Sequence, residues 1–267
     1  MSAPLQFPHI SPNLIEIGPF AIRWYALAYI AGLVLGWQML RRLVGHAPAV
    51  AMREQADDYL TWATLGVVFG GRLGYVLFYQ PARFIGAPWE SFAVWQGGMS
   101  FHGGLLGVAL ATIIFCRRNG ISVLDFGDRL VVGAPIGLFF GRLANFINGE
   151  LWGRPAAEGL PWRMVFPHVD PLARHPSQIY QALLEGVALF VVLWLLSRRT
   201  SLRARTGFLT GIFAVGYGVA RIIGELFRQP DAFLGFLYAG ATMGQLLSLP
   251  MLIVGLWLIL RSGRKLA

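Results

Sequence analysis

The stretch VVGAPIGLFFGRLANFINGELWGR, residues 131–154, joins an uncharged apolar run to a markedly polar one. Residues 131–140 carry no charge, whereas residues 141–154 contain two arginines, two asparagines and one glutamate. A run of roughly 20 predominantly apolar residues is typical of a membrane-spanning helix. The abrupt change indicates that polar side chains lie at one end of such a helix, where they need polar partners or a functional role.

The composition favours a polytopic membrane protein over a soluble one. Of the 267 residues, 56% are hydrophobic and 13% are charged, and the mean hydropathy is +0.58, whereas soluble domains are about a quarter charged. The net charge of +9 does not indicate a nucleic-acid partner, because the basic residues separate apolar runs. The single cysteine, Cys116, excludes an internal disulfide and a cysteine metal cluster. No cleaved signal peptide is expected, since the N-terminal segment lacks a basic region and a small-residue cleavage site.

Seven apolar segments are candidates for transmembrane helices, so the predicted fold is all-α. They lie at about 20–40, 59–78, 99–116, 129–147, 177–196, 207–226 and 238–260. Glycine and proline interrupt the third and fourth, which a membrane helix tolerates because neighbouring helices satisfy the freed backbone groups. We predict one integral membrane catalytic domain over residues 1–267.

The basic residues predict the orientation, because cytoplasmic connections are enriched in lysine and arginine. Twelve lie in one set of connections and the C-terminal tail: Arg41, Arg42, Arg53, Arg117, Arg118, Arg198, Arg199, Arg203, Arg205, Arg261, Arg264 and Lys265. Five lie in the alternate set: Arg83, Arg154, Arg163, Arg174 and Arg228. The N-terminus is therefore predicted outside and the C-terminus in the cytoplasm. The long outer connection, residues 148–176, is predicted to form a small, partly ordered cap.

On the oriented spans, polar side chains from six helices fall near the outer boundary of the membrane. They are Tyr25, Arg72, His102, Arg142, Asn145, Tyr217, Arg221, Glu225 and the segment HPSQIYQ at 175–181. An arginine within a membrane helix costs at least ~2.5–3.5 kcal/mol at mid-depth and rarely faces lipid. We expect these groups to face an internal, wet cavity that opens to the outside.

Structural explanations remain open for several of these residues. Arg221 and Glu225 are four residues apart and can neutralise each other across one helical turn. Arg142 has no carboxylate three or four residues away, so it needs a distant partner or an anionic ligand. Arg72 is expected to extend outward to the interface, and Asp128 is expected to cap the start of the fourth helix.

His102 lies among glycines in GGMSFHGGLLG, residues 97–107, which are expected to clear space for a cavity beside the imidazole. Gly-x-x-x-Gly pairs also recur along the chain, and for most of them we expect close helix packing. These pairs are Gly32/Gly36, Gly66/Gly70/Gly74, Gly103/Gly107, Gly133/Gly137/Gly141, Gly207/Gly211 and Gly240/Gly244. Metal-binding spacings such as H-x-x-x-H are absent from the sequence.

Four motifs resemble those of bacterial prolipoprotein diacylglyceryl transferases. They are HGG at 102–104, GRLANFINGELWG at 141–153, HPSQIYQ at 175–181 and GYGVARIIGELFRQPD at 216–231. The resemblance spans essentially the whole chain. It implies transfer of the diacylglyceryl group from phosphatidylglycerol to the lipobox cysteine of a secreted precursor. The products are a thioether-linked lipid and glycerol phosphate.

The resemblance also implies partners, location and site residues. The partners are phosphatidylglycerol, the prolipoprotein signal peptide with its lipobox, and membrane lipids, with no metal or redox cofactor. The location is the bacterial inner membrane, with the active site toward the outer face. The predicted catalytic residues are His102, Arg142 and Arg221, and the predicted substrate-binding residues are Tyr25, Gly103, Gly104, Asn145, Glu150, Gly153, Tyr217 and Glu225.

The chemistry suits these residue types. Negative charge gathers on the departing phosphate, and a guanidinium is always charged and pairs with phosphate through two hydrogen bonds. The attacking thiol, with a pKa near ~8.5, needs a base or a positive field. His102 is one candidate base; alternatively, the arginine field alone forms the thiolate and His102 only binds lipid. Asn145, Glu150 and Gly153 are expected to hold the headgroup and the outer loop.

Two other functions compete with this one. A transporter of an organic anion or phosphate also needs arginines in a cavity, but it favours polar groups near mid-membrane and on both access paths. Another lipid-headgroup enzyme, such as an acyltransferase, requires an acidic or H-x-x-x-x-D constellation, which the sequence lacks.

Overall fold

The computed structural model describes residues 3–8, 10–18, 20–78, 86, 88–92, 98–230 and 235–262. Several residues used in the sequence predictions lie outside these ranges. They are Arg83, Gly97, Asp231, Arg264 and Lys265.

Helices dominate the described residues. They are α1 (Trp24–Val44), α2 (Arg53–Phe78), α3 (Phe101–Arg118), α4 (Val123–Ile147), α5 (Ser177–Ser197), α6 (Thr200–Arg203), α7 (Phe208–Phe227) and α8 (Met243–Ser262). Short 3₁₀ turns occupy Pro88–Phe92 and Tyr238–Gly240, and α5 contains a π-helical segment, Ala182–Ala188.

Six of the described helices are long and apolar enough to cross a membrane: α1, α2, α4, α5, α7 and α8. The prediction of a mostly helical, polytopic membrane protein is therefore confirmed. The third predicted span, 99–116, corresponds to the 18-residue α3, which does not belong to this set. The helices α2 and α4 begin about six residues earlier than predicted, because their polar first turns continue the apolar segment in helical form.

The chain divides into two compact units, a smaller one (Leu40–Gly127) and a larger one (Met1–Met39 with Asp128–Ala267). In the smaller unit, α2 and α3 pack antiparallel with their backbones in contact. A Cβ on Gly107 would lie 2.0 Å from the Gly66 carbonyl oxygen, and one on Gly103 would lie 2.3 Å from the Gly70 carbonyl oxygen. The prediction of close packing is confirmed for these glycines, since no side chain fits between the two helices.

The prediction that the glycines around His102 clear space for a cavity was wrong for Gly103 and Gly107, because the backbone of α2 occupies the space beside them. It stays a prediction for Gly104, where a Cβ would meet only the Val67 carbonyl oxygen, at 3.7 Å. Arg72, also in the smaller unit, is buried, and its side chain donates to the carbonyl oxygens of Ser91 at 2.9 Å and Gly98 at 3.3 Å. Both acceptors lie in the connection that follows α2, and the extension of Arg72 to the membrane interface stays a prediction. An arginine within a membrane helix is stabilised when carbonyl groups replace its hydration.

In the larger unit, close glycine contacts again join the helices. A Cβ on Gly32 of α1 would lie 2.9 Å from Gly137 Cα of α4, and a Cβ on Gly211 of α7 would lie 2.8 Å from the Gly255 carbonyl oxygen of α8. Not every Gly-x-x-x-Gly pair predicted from the sequence brings two helices into close contact. Gly207 precedes α7 with a φ of +82°, a left-handed conformation that favours glycine.

Asp128 was predicted to cap its own helix, and this prediction was wrong. Asp128 lies inside α4, and its carboxylate accepts hydrogen bonds of 2.7 Å from the backbone N–H groups of Gly207 and Thr210 and from the Thr210 hydroxyl. These groups are at the start of α7, where the backbone N–H groups lack partners within the helix. Asp128 therefore caps α7 from a neighbouring helix and holds the starts of α4 and α7 together.

The described residues of the larger unit also include five short strands, which the sequence did not predict. They are β1 (Leu5–Gln6), β2 (Asn13–Ile17), β3 (Phe20–Arg23), β4 (Met164–Val165) and β5 (Ala173–Arg174). β2 and β3 form a hairpin directly before α1, and β4 lies between β1 and β5 in a three-stranded sheet. The two-residue strands β1, β4 and β5 are too short to give an alternating hydrophobic pattern. The sheet ties the N-terminal segment to residues 148–176.

Candidate active site

The site begins in the last two turns of α4, where the apolar part of the helix ends. Arg142 lies there with its side chain 14% exposed, and its Nε and Nη2 atoms both donate to Glu185 Oε2, at 2.9 and 2.8 Å. Glu185 is fully buried. The sequence indicated that Arg142 needs a distant partner or an anionic ligand, and the structure provides the distant partner.

Glu185 was not among the residues predicted from the sequence. It lies in the π-helical segment of α5, four residues beyond the end of HPSQIYQ. Single π turns within α-helices often occur at functional sites, because the extra residue redirects a side chain. A lone carboxylate within an apolar span was the available signal, since such groups are seldom left facing lipid.

Arg221 of α7 joins the same group from another helix. Its Nη2 lies 2.7 Å from Glu225 Oε1, and its Nη1 lies 3.7 Å from Glu185 Oε1. Arg228 Nη1 in turn lies 3.3 Å from Glu225 Oε1. The predicted pairing of Arg221 with Glu225 is thus present, but Arg221 also faces a second carboxylate from another helix.

These contacts form a continuous row of alternating charges, which we call the arginine–glutamate row: Arg142, Glu185, Arg221, Glu225 and Arg228. Each buried carboxylate lies between two guanidinium groups, which offsets the large cost of removing it from water. Three positive and two negative groups leave the row with one net positive charge when all are ionised. The Tyr217 hydroxyl faces Arg142 and Arg221 from α7. Arg142 and Arg221 thus share one buried carboxylate, Glu185, and one tyrosine hydroxyl.

A second group of polar side chains, two neutral and one acidic, lies one helical turn from Arg142. The Asn145 side chain donates to Glu150 Oε1 at 2.7 Å. The Tyr25 hydroxyl, in the first turn of α1, interacts with Asn145 and lies 3.4 Å from the Tyr29 hydroxyl. Tyr25, Asn145 and Glu150 thus lie together at the junction of α4 with residues 148–176.

Gly153 fixes the start of residues 148–176 against the end of α7. A Cβ at this position would lie 2.2 Å from the His175 carbonyl oxygen and 2.8 Å from the Phe227 carbonyl oxygen, so no larger residue fits. The neighbouring Arg154 donates to the carbonyl oxygens of Glu225 and Arg228, both at 3.0 Å. These contacts join residues 148–176 directly to the end of the arginine–glutamate row.

An aromatic group joins residues 148–176 to the first turn of α5. The Trp162 indole donates to the Tyr180 hydroxyl at 2.7 Å, and this hydroxyl lies 3.2 Å from His175 Nδ1. Burial lowers the pKa of His175, because the charged imidazolium loses hydration. Since the pKa falls below its ordinary value, His175 is mainly neutral near pH 7. The predicted start of the fifth span at residue 177 is confirmed, since α5 begins at Ser177, directly after Pro176.

The structure thus brings eight predicted residues into the larger unit: Tyr25, Arg142, Asn145, Glu150, Gly153, Tyr217, Arg221 and Glu225. His102, Gly103 and Gly104 lie in the first turn of α3, in the smaller unit, and their roles remain predictions. Within the described ranges, no group of three or more His, Cys, Asp or Glu side chains is arranged to hold a metal ion.

Comparisons with known proteins agree on one family. Residues 12–261 match the sequence profile of prolipoprotein diacylglyceryl transferases. A phosphatidylglycerol–prolipoprotein diacylglyceryl transferase of Acidiphilium cryptum is 58% identical over 257 residues, covering 96% of this chain and 93% of the relative. Proteins of the same name from Gluconacetobacter diazotrophicus and Paramagnetospirillum magneticum are each 57% identical. The first covers 97% of this chain and 92% of the relative, and the second covers both completely. The chain therefore belongs to the prolipoprotein diacylglyceryl transferase family.

Proposed function

We propose that this chain transfers the diacylglyceryl group of phosphatidylglycerol to the lipobox cysteine of a prolipoprotein and releases glycerol phosphate. The observation that carries the proposal is the identity of 57–58%, over nearly the whole chain, with transferases that bear this name. The arginine–glutamate row gives the proposal a physical basis. Its Arg142 and Arg221 guanidinium groups, which lie against the two oxygens of Glu185, suit the anionic phosphodiester of phosphatidylglycerol.

In the proposed reaction, the thiolate sulfur attacks the carbon of the diacylglycerol unit that is bonded to the phosphate oxygen. A carbon–sulfur bond forms, the carbon–oxygen bond to phosphate breaks, and the electron pair leaves with glycerol phosphate. Arg142 and Arg221 stabilise the charge that grows on the phosphate oxygens. Preorganised charges of this kind lower a barrier by several kcal/mol in a water-poor site. Glu185 holds both guanidinium groups in position, since they approach its two carboxylate oxygens from different helices.

The thiol proton needs an acceptor, and we propose His102 for this role. Arginine cannot act as a base at neutral pH. Tyr25, Asn145, Glu150 and Tyr217 then bind and orient the headgroup.

We also propose seven transmembrane helices, with α3 as the third, in the bacterial inner membrane. The N-terminus lies outside and the C-terminus in the cytoplasm, because twelve basic residues fall in one set of connections and five in the other. Residues 148–176 then form a cap over an outward-facing active site, within one catalytic domain. A phospholipid and a membrane-tethered signal peptide both reach a site at this depth.

The test uses purified protein, phosphatidylglycerol vesicles and a lipobox peptide, with thioether product and glycerol phosphate as readouts. We expect Arg142→Ala and Arg221→Ala to lose at least about a hundredfold in kcat. His102→Gln should lose activity and the pH dependence that a base imposes. Cys116→Ser should keep activity, because direct displacement uses no enzyme thiol. Phosphate flux across the vesicle membrane without peptide modification would instead support the transporter.

A further inference from the structure

One buried side chain beside the arginine–glutamate row lacks the partners that its chemistry requires. Gln181, the residue before the π-helical segment of α5, is fully buried. Among the described residues, neither its amide oxygen nor its amide nitrogen has a hydrogen-bond partner. Buried polar groups in folded proteins are nearly always hydrogen-bonded to protein, water or ligand.

The position of Gln181 points to a ligand near the row. Its side chain packs on Gly224 of α7, where a Cβ would lie 3.0 Å from Gln181 Cγ and 3.4 Å from its Nε2. Gly224 lies directly before Glu225 and three residues after Arg221, so the carboxamide faces the helix that carries two of the five residues of the row.

Two further buried atoms of the row are also unsatisfied. Glu185 Oε1 and Arg221 Nη1 have no hydrogen-bond partner among the described residues, and their separation of 3.7 Å is too long for a hydrogen bond. Together with Gln181, they provide two acceptors, the oxygens of Gln181 and Glu185, and two donors, the nitrogens of Gln181 and Arg221.

This set of atoms fits one headgroup chemistry better than a phosphate alone. A phosphate oxygen only accepts hydrogen bonds, so it uses the donors and leaves both acceptors unsatisfied. A hydroxyl group donates and accepts at once, as the carboxamide also does. A phosphate ester that carries free hydroxyl groups therefore satisfies the whole set.

We propose that Gln181 binds the hydroxyl groups of the glycerol headgroup and makes the enzyme selective for a donor lipid with a polyol headgroup. This inference rests on the proposed transferase function. Gln181 thereby determines specificity, whereas Arg142 and Arg221 bind the phosphate of any anionic phospholipid.

The experiment compares phosphatidylglycerol with phosphatidylpropanol, a phosphodiester of equal charge and similar size that has no headgroup hydroxyl. Wild-type enzyme should favour phosphatidylglycerol in kcat/KM by about tenfold or more. Gln181→Met keeps the side-chain volume but removes the amide, and it should reduce this ratio to within about threefold of unity. The loss should appear mainly in the KM for phosphatidylglycerol.

Two further variants separate specificity from folding. Gln181→Asn keeps the amide but withdraws it by one methylene group, so it should also lose the preference. Gln245→Met is the matched control, because the Gln245 amide oxygen already accepts from the Thr242 N–H at 3.0 Å. It should keep the wild-type ratio.

The outcomes are distinguishable. An unchanged donor ratio in Gln181→Met and Gln181→Asn would overturn the role of Gln181 and leave the transferase function standing. The same conclusion follows if wild-type enzyme uses both lipids equally well. Wild-type enzyme that modifies the peptide with neither lipid would overturn both proposals.

Discussion

Replacing Glu185 by glutamine tests the arginine–glutamate row most directly. The substitution keeps the shape of the side chain but removes the charge that faces Arg142 at 2.8 Å and Arg221 at 3.7 Å. Removing one partner of a buried ion pair typically costs about 3–5 kcal/mol, because the other charge stays buried without compensation. At roughly 2–4 °C per kcal/mol for a chain of this size class, we expect the unfolding temperature to fall by about 6–20 °C.

The assay follows thermal unfolding of the purified protein in detergent, and the same preparations are used for turnover. Asp57→Asn is the matched control, because Asp57 pairs with Arg41 at 3.0 Å while the two side chains are 38% and 46% exposed. An exposed pair contributes about 0–1 kcal/mol, so this variant should unfold within about 4 °C of wild type. Equal shifts for Glu185→Gln and Asp57→Asn would refute the reasoning, since burial would then make no difference.

Three further predictions concern the structural supports of the site. Gly153→Ala should prevent correct folding, since its Cβ would lie 2.2 Å from the His175 carbonyl oxygen. Gly159→Ala is the control and should express normally, because nothing lies within 4 Å of a Cβ at that position. The yields of folded protein of the two variants test this prediction. Asp128→Ala should lower the free energy of unfolding by about 2–4 kcal/mol, because three hydrogen bonds of 2.7 Å to the start of α7 are lost; chemical denaturation measures it. Burial lowers the pKa of His175 in the folded protein, so at acidic pH the unfolded chain binds more protons than the folded one. The contribution of neutral His175 to the free energy of unfolding is therefore fully present above pH ~6.5, the ordinary pKa of histidine, and is lost as the pH falls through the folded pKa. Unfolding temperatures between pH 7 and pH 5 should therefore fall more in wild type than in His175→Gln.

Much of the fold is predictable because membrane helices are encoded locally. A run of apolar residues specifies a membrane-spanning helix without reference to the rest of the chain. The six helices that are long and apolar enough to cross a membrane match six of the predicted segments. Glycine spacing likewise predicted the contacts of Gly66 and Gly107. The pairing of β1 with β4 was missed, because it joins residues as distant as Leu5 and Met164.

The sequence by itself determined which helices exist, that arginines stand near the end of two of them, and which family the motifs resemble. It also gave the pair Arg221 and Glu225, because side chains four residues apart on a helix must be neighbours. Only the tertiary structure decided that Glu185 lies between Arg142 and Arg221, and that Asp128 caps a helix 79 residues away. Such partners depend on how whole helices pack and rotate against one another. No spacing along one helix contains that information.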